Sequence, residues 1–396
     1  MSIYDRFGIR TIINAKGPST RLSGGFLDAD VAAAMTEAAT MCVEMTELHA
    51  GASKVIAQVT GAEAGLVTSG AAAGLLMGTA ACMTGLDPGK MSRLPDTTGM
   101  KNEVIMVRSQ RNFYDHAVRG AGARIVEVGL PDRYAGAGVR DAEAWEIREA
   151  ITERTAAVFW VATGSAQPAL AEVARVAHGA GVPVLVDAAG QLPPVANLKR
   201  FLAEGADLVA FSGGKAIGGP QGSGILAGKR DLIMAAVLQH LDLDIYWEQW
   251  TPPASLIDKD RLPGAPPHGI GRPCKVGKET VIGLLVALQK FAAESDEARS
   301  RRLGAVAQRL HGALAGVDHA RVELTAGMAP KVELHLTKDA PRNALQLCID
   351  MERASPAAVY ADPSRTRNGV VVFNPWCMRE GDAERIAAVV KPLLRY

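Results

Sequence analysis

Several features that mark particular protein classes are missing from this sequence of 396 residues. Its cysteines form no CxxC pair and no metal-binding spacing, so they indicate reduced thiols, a cytoplasmic protein and no metal site. The first ten residues, MSIYDRFGIR, contain no apolar core of a signal peptide. Glycines or charges interrupt every apolar run well before it reaches the length of a membrane span, so we expect no membrane association. The cysteines are Cys42, Cys82, Cys274, Cys348 and Cys377.

A strong charge imbalance is also missing. The chain has 43 Lys and Arg against 42 Asp and Glu, for a formal net charge of +1, and no long basic run occurs. This balance argues against a nucleic acid as a main partner and favours a small-molecule substrate. Hydrophobic residues make up 48% and charged residues 21%, which is typical of an ordinary globular protein with one large and one smaller domain.

Strand and helix patterns alternate through the middle of the chain, which predicts an α/β fold with a mostly parallel sheet wrapped by helices. The last part of the chain has an α+β pattern instead. We therefore predict an N-terminal segment (1–45), a large domain (46–275) and a small C-terminal α+β domain (276–396).

One glycine-rich stretch, Asp207–Gly228, carries the most specific chemical pattern. An apolar strand, Leu208–Phe211, ends in Ser212-Gly213-Gly214, and a single lysine, Lys215, follows. A lysine on a glycine-rich loop at a strand end can approach a bound cofactor closely and form a Schiff base. Upstream, Asp187 stands at the end of another apolar strand. Such a lysine and such an aspartate fit pyridoxal 5'-phosphate (PLP), which needs an amine for its aldehyde and an anion for its pyridine nitrogen. The alternative is a surface turn with a solvated lysine.

A second pattern predicts a binding site for the cofactor phosphate. The strand Ala64–Thr68 runs into Ser69-Gly70-Ala71 and then into an alanine-rich helix. A small-residue turn of this kind presents backbone N–H groups and the positive end of a helix dipole to an anion. Small residues also allow a helix to pack closely on a sheet, which is the structural alternative.

A third loop follows the strand Val104–Val107 and carries two ring side chains, Tyr114 and His116. PLP sites commonly stack an aromatic or imidazole ring on the cofactor, and either residue is a candidate for that role. An ordinary surface loop is the alternative for each of them.

Together these motifs resemble the fold-type-I PLP enzymes, and more narrowly the family that contains bacterial selenocysteine synthase (L-seryl-tRNA(Sec) selenium transferase) and D-glucosaminate-6-phosphate ammonia-lyase. The resemblance rests on the lysine motif, supported by the segments Ile13–Ala15, Thr60–Ala64, Gly218–Gln221 and Gly269–Glu279. It implies an aspartate aminotransferase-like large domain. It also implies that Lys215 is the Schiff-base lysine, that Asp187 pairs with the pyridine nitrogen, and that Ser212, Ser69, Gly70 and Ala71 hold the phosphate.

The resemblance implies a reaction as well. We expect an α,β-elimination from a hydroxy amino acid or amino-sugar acid that yields a 2-oxo acid and ammonia. An amino-acid racemase or epimerase and a selenium transferase are the alternatives, and a binding protein without catalysis is a third. The chain shows no obvious tRNA-binding module. The loops Thr163–Gln167 and Gly190–Pro194 depart from the ammonia-lyase pattern, which leaves the substrate open.

Substrate-binding residues and the assembly are expected from the same resemblance. An anionic substrate needs a cation, and Arg21 and Arg272 are our candidates, with Thr20 and Gln191 as polar contacts. The long segments Gly17–Gly25 and Leu241–Lys275 lie outside the sheet pattern. We therefore expect a homodimer or higher even-numbered oligomer in which these segments complete the neighbouring subunit's site.

Overall fold

The computed structural model describes residues 2–130 and 141–395. It divides into two compact units, one formed by Leu27–Ala292 and one by Met1–Phe26 together with Ala293–Tyr396. The predicted bounds at 45 and 275 differ from these. The N-terminal strand pairs with a strand near the C-terminus, and one continuous helix covers Lys278–Ala293. Within the described residues, no helix is both long and apolar enough to cross a membrane.

The strands and helices alternate along the chain as follows. The strands are β1 (Ile12–Ala15), β2 (Ala64–Thr68), β3 (Glu103–Val107), β4 (Arg124–Val128), β5 (Thr155–Val161), β6 (Val184–Asp187), β7 (Leu208–Ser212), β8 (Gly224–Gly228), β9 (Ala320–Leu324), β10 (Val332–Leu336), β11 (Ala358–Ala361) and β12 (Val370–Phe373). The helices are α1 (Ala29–Ala39), α2 (Met45–Thr60), α3 (Ala71–Thr84), α4 (Pro88–Arg93), α5 (His116–Gly120), α6 (Ala144–Ala150), α7 (Leu170–His178), α8 (Asn197–Ala203), α9 (Arg230–His240), α10 (Lys278–Ala293), α11 (Asp296–Leu314), α12 (Ala344–Arg353) and α13 (Asp382–Arg395).

The larger unit is built on a seven-stranded sheet with the order β2-β8-β7-β6-β5-β3-β4. The strands β7, β6, β5, β3 and β4 run parallel to one another, whereas β8 is antiparallel to both of its neighbours. The strands are apolar on both sides because helices cover both faces of the sheet. On one face, α2, α7, α8 and α10 pack against residues such as Val186 and Phe211, and on the other α3 and α9 pack against Leu185 and Leu226.

The smaller unit combines a three-stranded antiparallel sheet, β12-β10-β9, with the parallel pair β1-β11. Its core is formed by apolar residues of β1, β10, β11 and β12 with those of α11, α12 and α13. The buried side chain of Asn14 donates hydrogen bonds from Nδ2 to the carbonyl oxygens of Gly17 (3.2 Å) and Gly24 (2.9 Å). This asparagine therefore anchors both ends of the following loop.

Helix α4 has a capped start. Asp87 accepts hydrogen bonds from the N–H groups of Gly89 and Lys90. Proline at the first helical position with an aspartate before it is a typical helix start.

Two buried histidines meet between α2 and α9. The rings of His49 and His240 pack edge to face with their centroids 5.1 Å apart, and each residue is at most 3% exposed. Burial lowers the pKa of His49 to about 3 and that of His240 to about 4; the backbone of Cys274 opposes the shift of His240, and Arg272 adds to it. Both rings are therefore neutral at pH 7.

The histidine pair makes the fold sensitive to acid. Below pH 6.5 the unfolded chain binds protons at both positions and the folded chain does not, so the free energy of unfolding falls as the pH drops. Each histidine accounts for about 2 kcal/mol of this loss between pH 7 and pH 5. We expect His49→Phe and His240→Phe to lose less stability over that range in urea denaturation. His311→Asn, in the other unit, should lose as much stability between pH 7 and pH 5 as the wild type. The assignment would be contradicted if both Phe variants also lost as much stability as the wild type over this range.

Candidate active site

The candidate site lies at one edge of the seven-stranded sheet. The carboxyl ends of β3, β5, β6 and β7 share this edge because these strands are parallel, and β2 ends there as well because it is antiparallel to β8. Ligand sites of open α/β sheets lie at this edge. Asp187 is the last residue of β6, Ser212 is the last residue of β7, and Ser69 follows the end of β2.

Two predicted phosphate-binding elements meet on either side of Gly224, the first residue of β8. Both Thr68 and Ser212 pair with Gly224 in the sheet register. A Cβ atom at Gly224 would lie 2.4 Å from the carbonyl carbon of Gly70 and 2.6 Å from the amide nitrogen of Ala71. The glycine therefore lets the strand approach the turn before α3 closely.

The turn itself also depends on glycine. Gly70 precedes α3 with φ of 125° and ψ of 162°, a conformation that side chains disfavour. Its carbonyl oxygen accepts a hydrogen bond from Thr68 Oγ1 at 2.8 Å. The first N–H groups of a helix have no partner within the helix, so Ala71 at the start of α3 offers an anion its backbone donor, with the Ser69 hydroxyl beside it.

The lysine loop between β7 and β8 is tightly folded. The N–H of Gly218 donates to the carbonyl of Lys215, and the N–H of Gly219 donates to that of Gly213. A Cβ at Gly213 would lie 2.3 Å from Ser223 Oγ, and one at Gly214 would lie 2.5 Å from the backbone of Gln221. These contacts exclude larger residues, so the loop presents Lys215 from a fixed backbone.

The loop directs Lys215 toward the end of β6. Its Nζ lies 3.9 Å from the point that a Cβ of Gly190 would occupy, just beyond Asp187. Asp187 is 7% exposed and accepts a hydrogen bond from the N–H of Ala189 at 2.9 Å. Burial raises the pKa of this carboxyl, while the Ala189 N–H and the charge of Lys215 oppose the rise. A cationic ligand at this aspartate would favour its ionised form.

A second lysine of the same stretch is already engaged. Lys229 Nζ lies 2.5 Å from Oδ1 of the buried Asp207, and this hydrogen bond raises the pKa of the lysine. Lys229 is therefore held protonated as a structural ion pair. Within the described residues Lys215 forms no salt bridge, which leaves its amine available.

The ring candidates lie on the loop after β3. Tyr114 is 63% exposed, and His116 is exposed at the start of α5. Between them, buried Asp115 pairs with Arg111 at 2.5 Å and with Arg119 at 3.1 Å, which fixes the loop. Stacking of either ring on a cofactor stays a prediction.

The predicted substrate-binding residues are divided between the two units. Gln191 is half-buried in the loop after β6, where its carbonyl accepts from Asn197 Nδ2 at 2.6 Å. Arg272 pairs with Asp242 at 2.9 Å on the segment before α10. Thr20 and Arg21 belong to the smaller unit, in which Arg21 pairs with Glu352 at 3.1 Å.

Sequence reasoning missed a buried glutamine at this edge of the sheet. Gln110 accepts a hydrogen bond from the N–H of Val161 through Oε1 (2.9 Å) and donates to the carbonyl of Gln167 through Nε2 (3.2 Å). It ties the loop after β3 to the end of β5. A glutamine between Ser109 and Arg111 gave no pattern that distinguished it from a surface position.

Within the part of the chain that the structure describes, one group of ionisable residues has the spacing of metal ligands. Glu323, Glu333 and His335 offer ligand atoms within 4.8 Å of one another in the smaller unit. Arg321 pairs with Glu323, and Arg365 pairs with Glu333. These arginines already balance the carboxylates, so the cluster is an ion-pair network.

The residues at the sheet edge fit PLP. The charge of Lys215 acts on buried Asp187, which accepts a hydrogen bond from the N–H of Ala189, and the glycine-lined turn before α3 lies against the first residue of β8 at the same edge of the sheet. A Schiff-base amine, an anion for a pyridine nitrogen and a phosphate cradle are the three groups that this cofactor requires.

Comparison with known proteins agrees with this chemistry. Residues 29–243 match the family described as SelA: L-seryl-tRNA selenium transferase. A 5'-C-glycyluridine monooxygenase-decarboxylase from Streptomyces sp is 30% identical over 99% of this chain and 92% of the relative. D-glucosaminate-6-phosphate ammonia lyase from Salmonella typhimurium (strain 14028s / SGSC 2262) is 28% identical over 100% of this chain and 98% of the relative. A solved structure of D-glucosaminate-6-phosphate ammonia-lyase has a TM-score of 0.82 at 26% identity and covers 100% of this chain and 98% of that one.

The chain belongs to this family. The predictions of an α/β fold of the fold-type-I class, of an enzyme and of PLP as its cofactor are confirmed. The roles of individual residues stay predictions.

The contact at Gly224 generates a matched test. Gly224→Ala would place a methyl group against the backbone of Gly70 and Ala71, whereas at Gly222 nothing lies within 4 Å of the added Cβ. We expect Gly224→Ala to lose about 1–3 kcal/mol in urea denaturation and to retain less PLP. Gly222→Ala should retain wild-type stability and cofactor content. Equal behaviour of the two variants would show that the close approach is unimportant.

Proposed function

We propose that this member of the family is a PLP-dependent lyase that removes a hydroxyl group and the amine from a hydroxylated amino acid or amino-sugar acid, giving a 2-oxo acid and ammonia. The observation that carries the proposal is the placement of an available Lys215 close enough to buried Asp187 for its charge to lower the pKa of that carboxyl, at the glycine-lined sheet edge. A full-length relative named as an ammonia lyase supports the choice of reaction. A cytoplasmic location stays our prediction.

PLP supplies an electron sink that stabilises negative charge at the substrate α-carbon. Asp187 has the position and burial to hold a protonated ring nitrogen, because an ion pair with it would offset the burial that now raises the pKa of the carboxyl. Ser69, Gly70, Ala71 and Ser212 would hold the phosphate.

Lys215 has two tasks in this proposal. Its amine would hold the cofactor aldehyde in the resting enzyme, and Nζ, when it is not bonded to the cofactor, would be the base that removes the α-proton of the substrate. The same group can then donate a proton to the departing β-hydroxyl, because the tight loop holds it at the site. Thr20, Arg21, Gln191 and Arg272 remain our candidates for substrate contacts, and Tyr114 or His116 for the ring that stacks on the cofactor.

A second candidate function is oxidative decarboxylation. The relative named 5'-C-glycyluridine monooxygenase-decarboxylase has an identity close to that of the ammonia lyase and also covers nearly the whole chain. Both names describe an amino acid or amino acid-like group joined to a sugar-derived chain. We therefore expect the side chain of the substrate to carry several hydroxyl groups, whichever reaction occurs.

The proposal is tested with a substrate screen over D- and L-hydroxy amino acids and sugar-derived amino acids, with and without phosphate. We expect equal amounts of 2-oxo acid and ammonia without oxygen consumption. Lys215→Ala should abolish turnover and Asp187→Ala should lower it by orders of magnitude, since each ~1.4 kcal/mol of lost transition-state stabilisation costs tenfold. Three other outcomes would contradict the proposal. Oxygen uptake with release of carbon dioxide would indicate oxidative decarboxylation, an inverted amino acid would indicate a racemase or epimerase, and selenylated tRNA would indicate a selenium transferase.

Borohydride reduction controls for the identity of the lysine. Peptide mapping of the reduced holoenzyme should place the cofactor on Lys215. A label on Lys229 would contradict the site, because that lysine is engaged with Asp207.

We further propose that the active form is a homodimer in which Arg272 serves the neighbouring subunit's site. In the larger unit, Gly271 lies against Met77 in the middle of α3, since a Cβ there would come within 2.7 Å of Met77 Sδ. Met77 is ~9 Å along the helix axis from Ala71, away from the sheet edge. Arg272 therefore lies beside the middle of α3 and not at the end of the helix that meets the sheet edge. Symmetric dimers are the commonest closed assembly.

Subunit mixing tests this arrangement. Inactive Lys215→Ala subunits are mixed with Arg272→Ala subunits under conditions that allow exchange, and activity should reappear because some heterodimers regain one complete site. Fully exchanged mixtures without activity, or an active monomer in sedimentation, would exclude the shared site.

A further inference from the structure

One buried hydroxyl lies beneath the turn that precedes α3. Thr68, the last residue of β2, has a relative exposure of 0% and donates a hydrogen bond through Oγ1 to the carbonyl oxygen of Gly70 at 2.8 Å. The same carbonyl accepts the N–H of Gly74 at 3.2 Å, which is the first hydrogen bond of the helix. Gly74 packs over the threonine, since a Cβ there would lie 3.6 Å from Thr68 Oγ1. The Gly70 carbonyl is therefore held by a side chain as well as by the helix backbone.

The direction of this carbonyl decides the direction of a neighbouring donor. The carbonyl of Gly70 and the N–H of Ala71 belong to one planar trans peptide group, in which they point in opposite directions. Because the carbonyl points toward Thr68 and into the first turn of α3, the Ala71 N–H points away from the helix, at the end where such groups have no partner within the helix. Thr68 thus sets, through one peptide plane, the direction of the donor that the turn offers to an anion.

The glycine before the helix makes this constraint necessary. Gly70 has φ of 125° and ψ of 162°, and glycine can adopt several other conformations at little cost. The peptide that follows Gly70 therefore has other orientations available to it. The close contact of Gly224 with this peptide is van der Waals packing, which is less directional than a hydrogen bond. The Thr68 hydroxyl is the side-chain group that selects one orientation.

We propose that Thr68 is a positioning residue of the cofactor site, which fixes the Gly70–Ala71 peptide so that its N–H binds the phosphate group of PLP. Since Thr68 is fully buried, it acts through this peptide and not by contact with the phosphate. The inference rests on the proposed role of Ser69, Gly70 and Ala71 in phosphate binding, and not on the reaction that the enzyme catalyses. Loss of the hydroxyl should weaken the binding of the phosphate and spare that of the ring and the aldehyde.

A comparison of PLP with pyridoxal measures the contribution of the phosphate. Pyridoxal has the same ring and aldehyde, with a hydroxyl group in place of the phosphate ester. Each compound is titrated into the full-length protein after removal of bound PLP, and its dissociation constant is obtained from the absorbance of the bound form. The wild type should bind PLP more tightly. Thr68→Val, which replaces the hydroxyl by a methyl group, should reduce the ratio of the two dissociation constants about tenfold, and Thr68→Ser should keep most of it.

Thr79→Val is the matched control. Thr79 also has a relative exposure of 0%, lies on α3 and donates through Oγ1 to the carbonyl of Leu75 at 2.7 Å. The same hydroxyl is thus lost from the same helix, ~12 Å along its axis from Ala71. Urea denaturation should show a similar loss of stability in both Val variants, whereas the ratio should fall only in Thr68→Val. Thr68→Ala and Thr79→Ala give the same comparison if Thr68→Val does not fold.

Four results would overturn the inference. Thr68→Val could keep the wild-type ratio while Ser69→Ala lowers it, which would leave the phosphate at the turn but make the threonine unnecessary. Both variants could keep the ratio, which would show that the phosphate binds elsewhere. Thr68→Val could weaken PLP and pyridoxal equally, or Thr79→Val could lower the ratio as much, and either result would assign Thr68 a general structural role. Because only cofactor binding is measured, failure of the proposed elimination reaction would not alter these outcomes.

Discussion

The candidate site depends on one close backbone contact, that of Gly224 with the Gly70–Ala71 turn. A parallel sheet alone would bring strand ends to one edge, but the antiparallel strand β8 begins at that edge and separates β2 from β7. The absence of a side chain at Gly224 allows the turn to approach the strand, so that the ends of β2 and β7 lie on either side of the start of β8. Any larger residue would push the helix N-terminus away from the anion that it is suited to bind.

Two lysines that are close in the sequence differ in their electrostatic surroundings. Lys229 is neutralised by the buried Asp207, whereas Lys215 extends toward Asp187 without an ion pair among the described residues. A buried carboxylate with raised pKa is costly for the fold unless a cation compensates it. The protein retains such a carboxylate at Asp187, which is the arrangement expected where a cofactor nitrogen provides the compensation. The same burial argument explains why His49 and His240 stay neutral.

The segment before α10 gives the molecule a second chemical character. It places the cationic side chains of His268, Arg272 and Lys275 beside the middle of α3, on a backbone whose glycines lie directly on Gln239 and Met77.

The kind of chemistry could be predicted from local sequence patterns. Three patterns were enough: the glycine-flanked Lys215, the aspartate at a strand end, and the small-residue turn after Ala64–Thr68. Each could be recognised because apolar strands and glycine turns depend on residues that are close together in the chain. The sequence could not show that β8 runs antiparallel, because an apolar strand has the same pattern in either direction. Nor could it reveal that His49 meets His240 or that Gly271 lies against Met77, since these contacts arise from packing between elements distant in the chain. Only the tertiary structure decided these contacts, because burial and close packing depend on residues that come together when the chain folds.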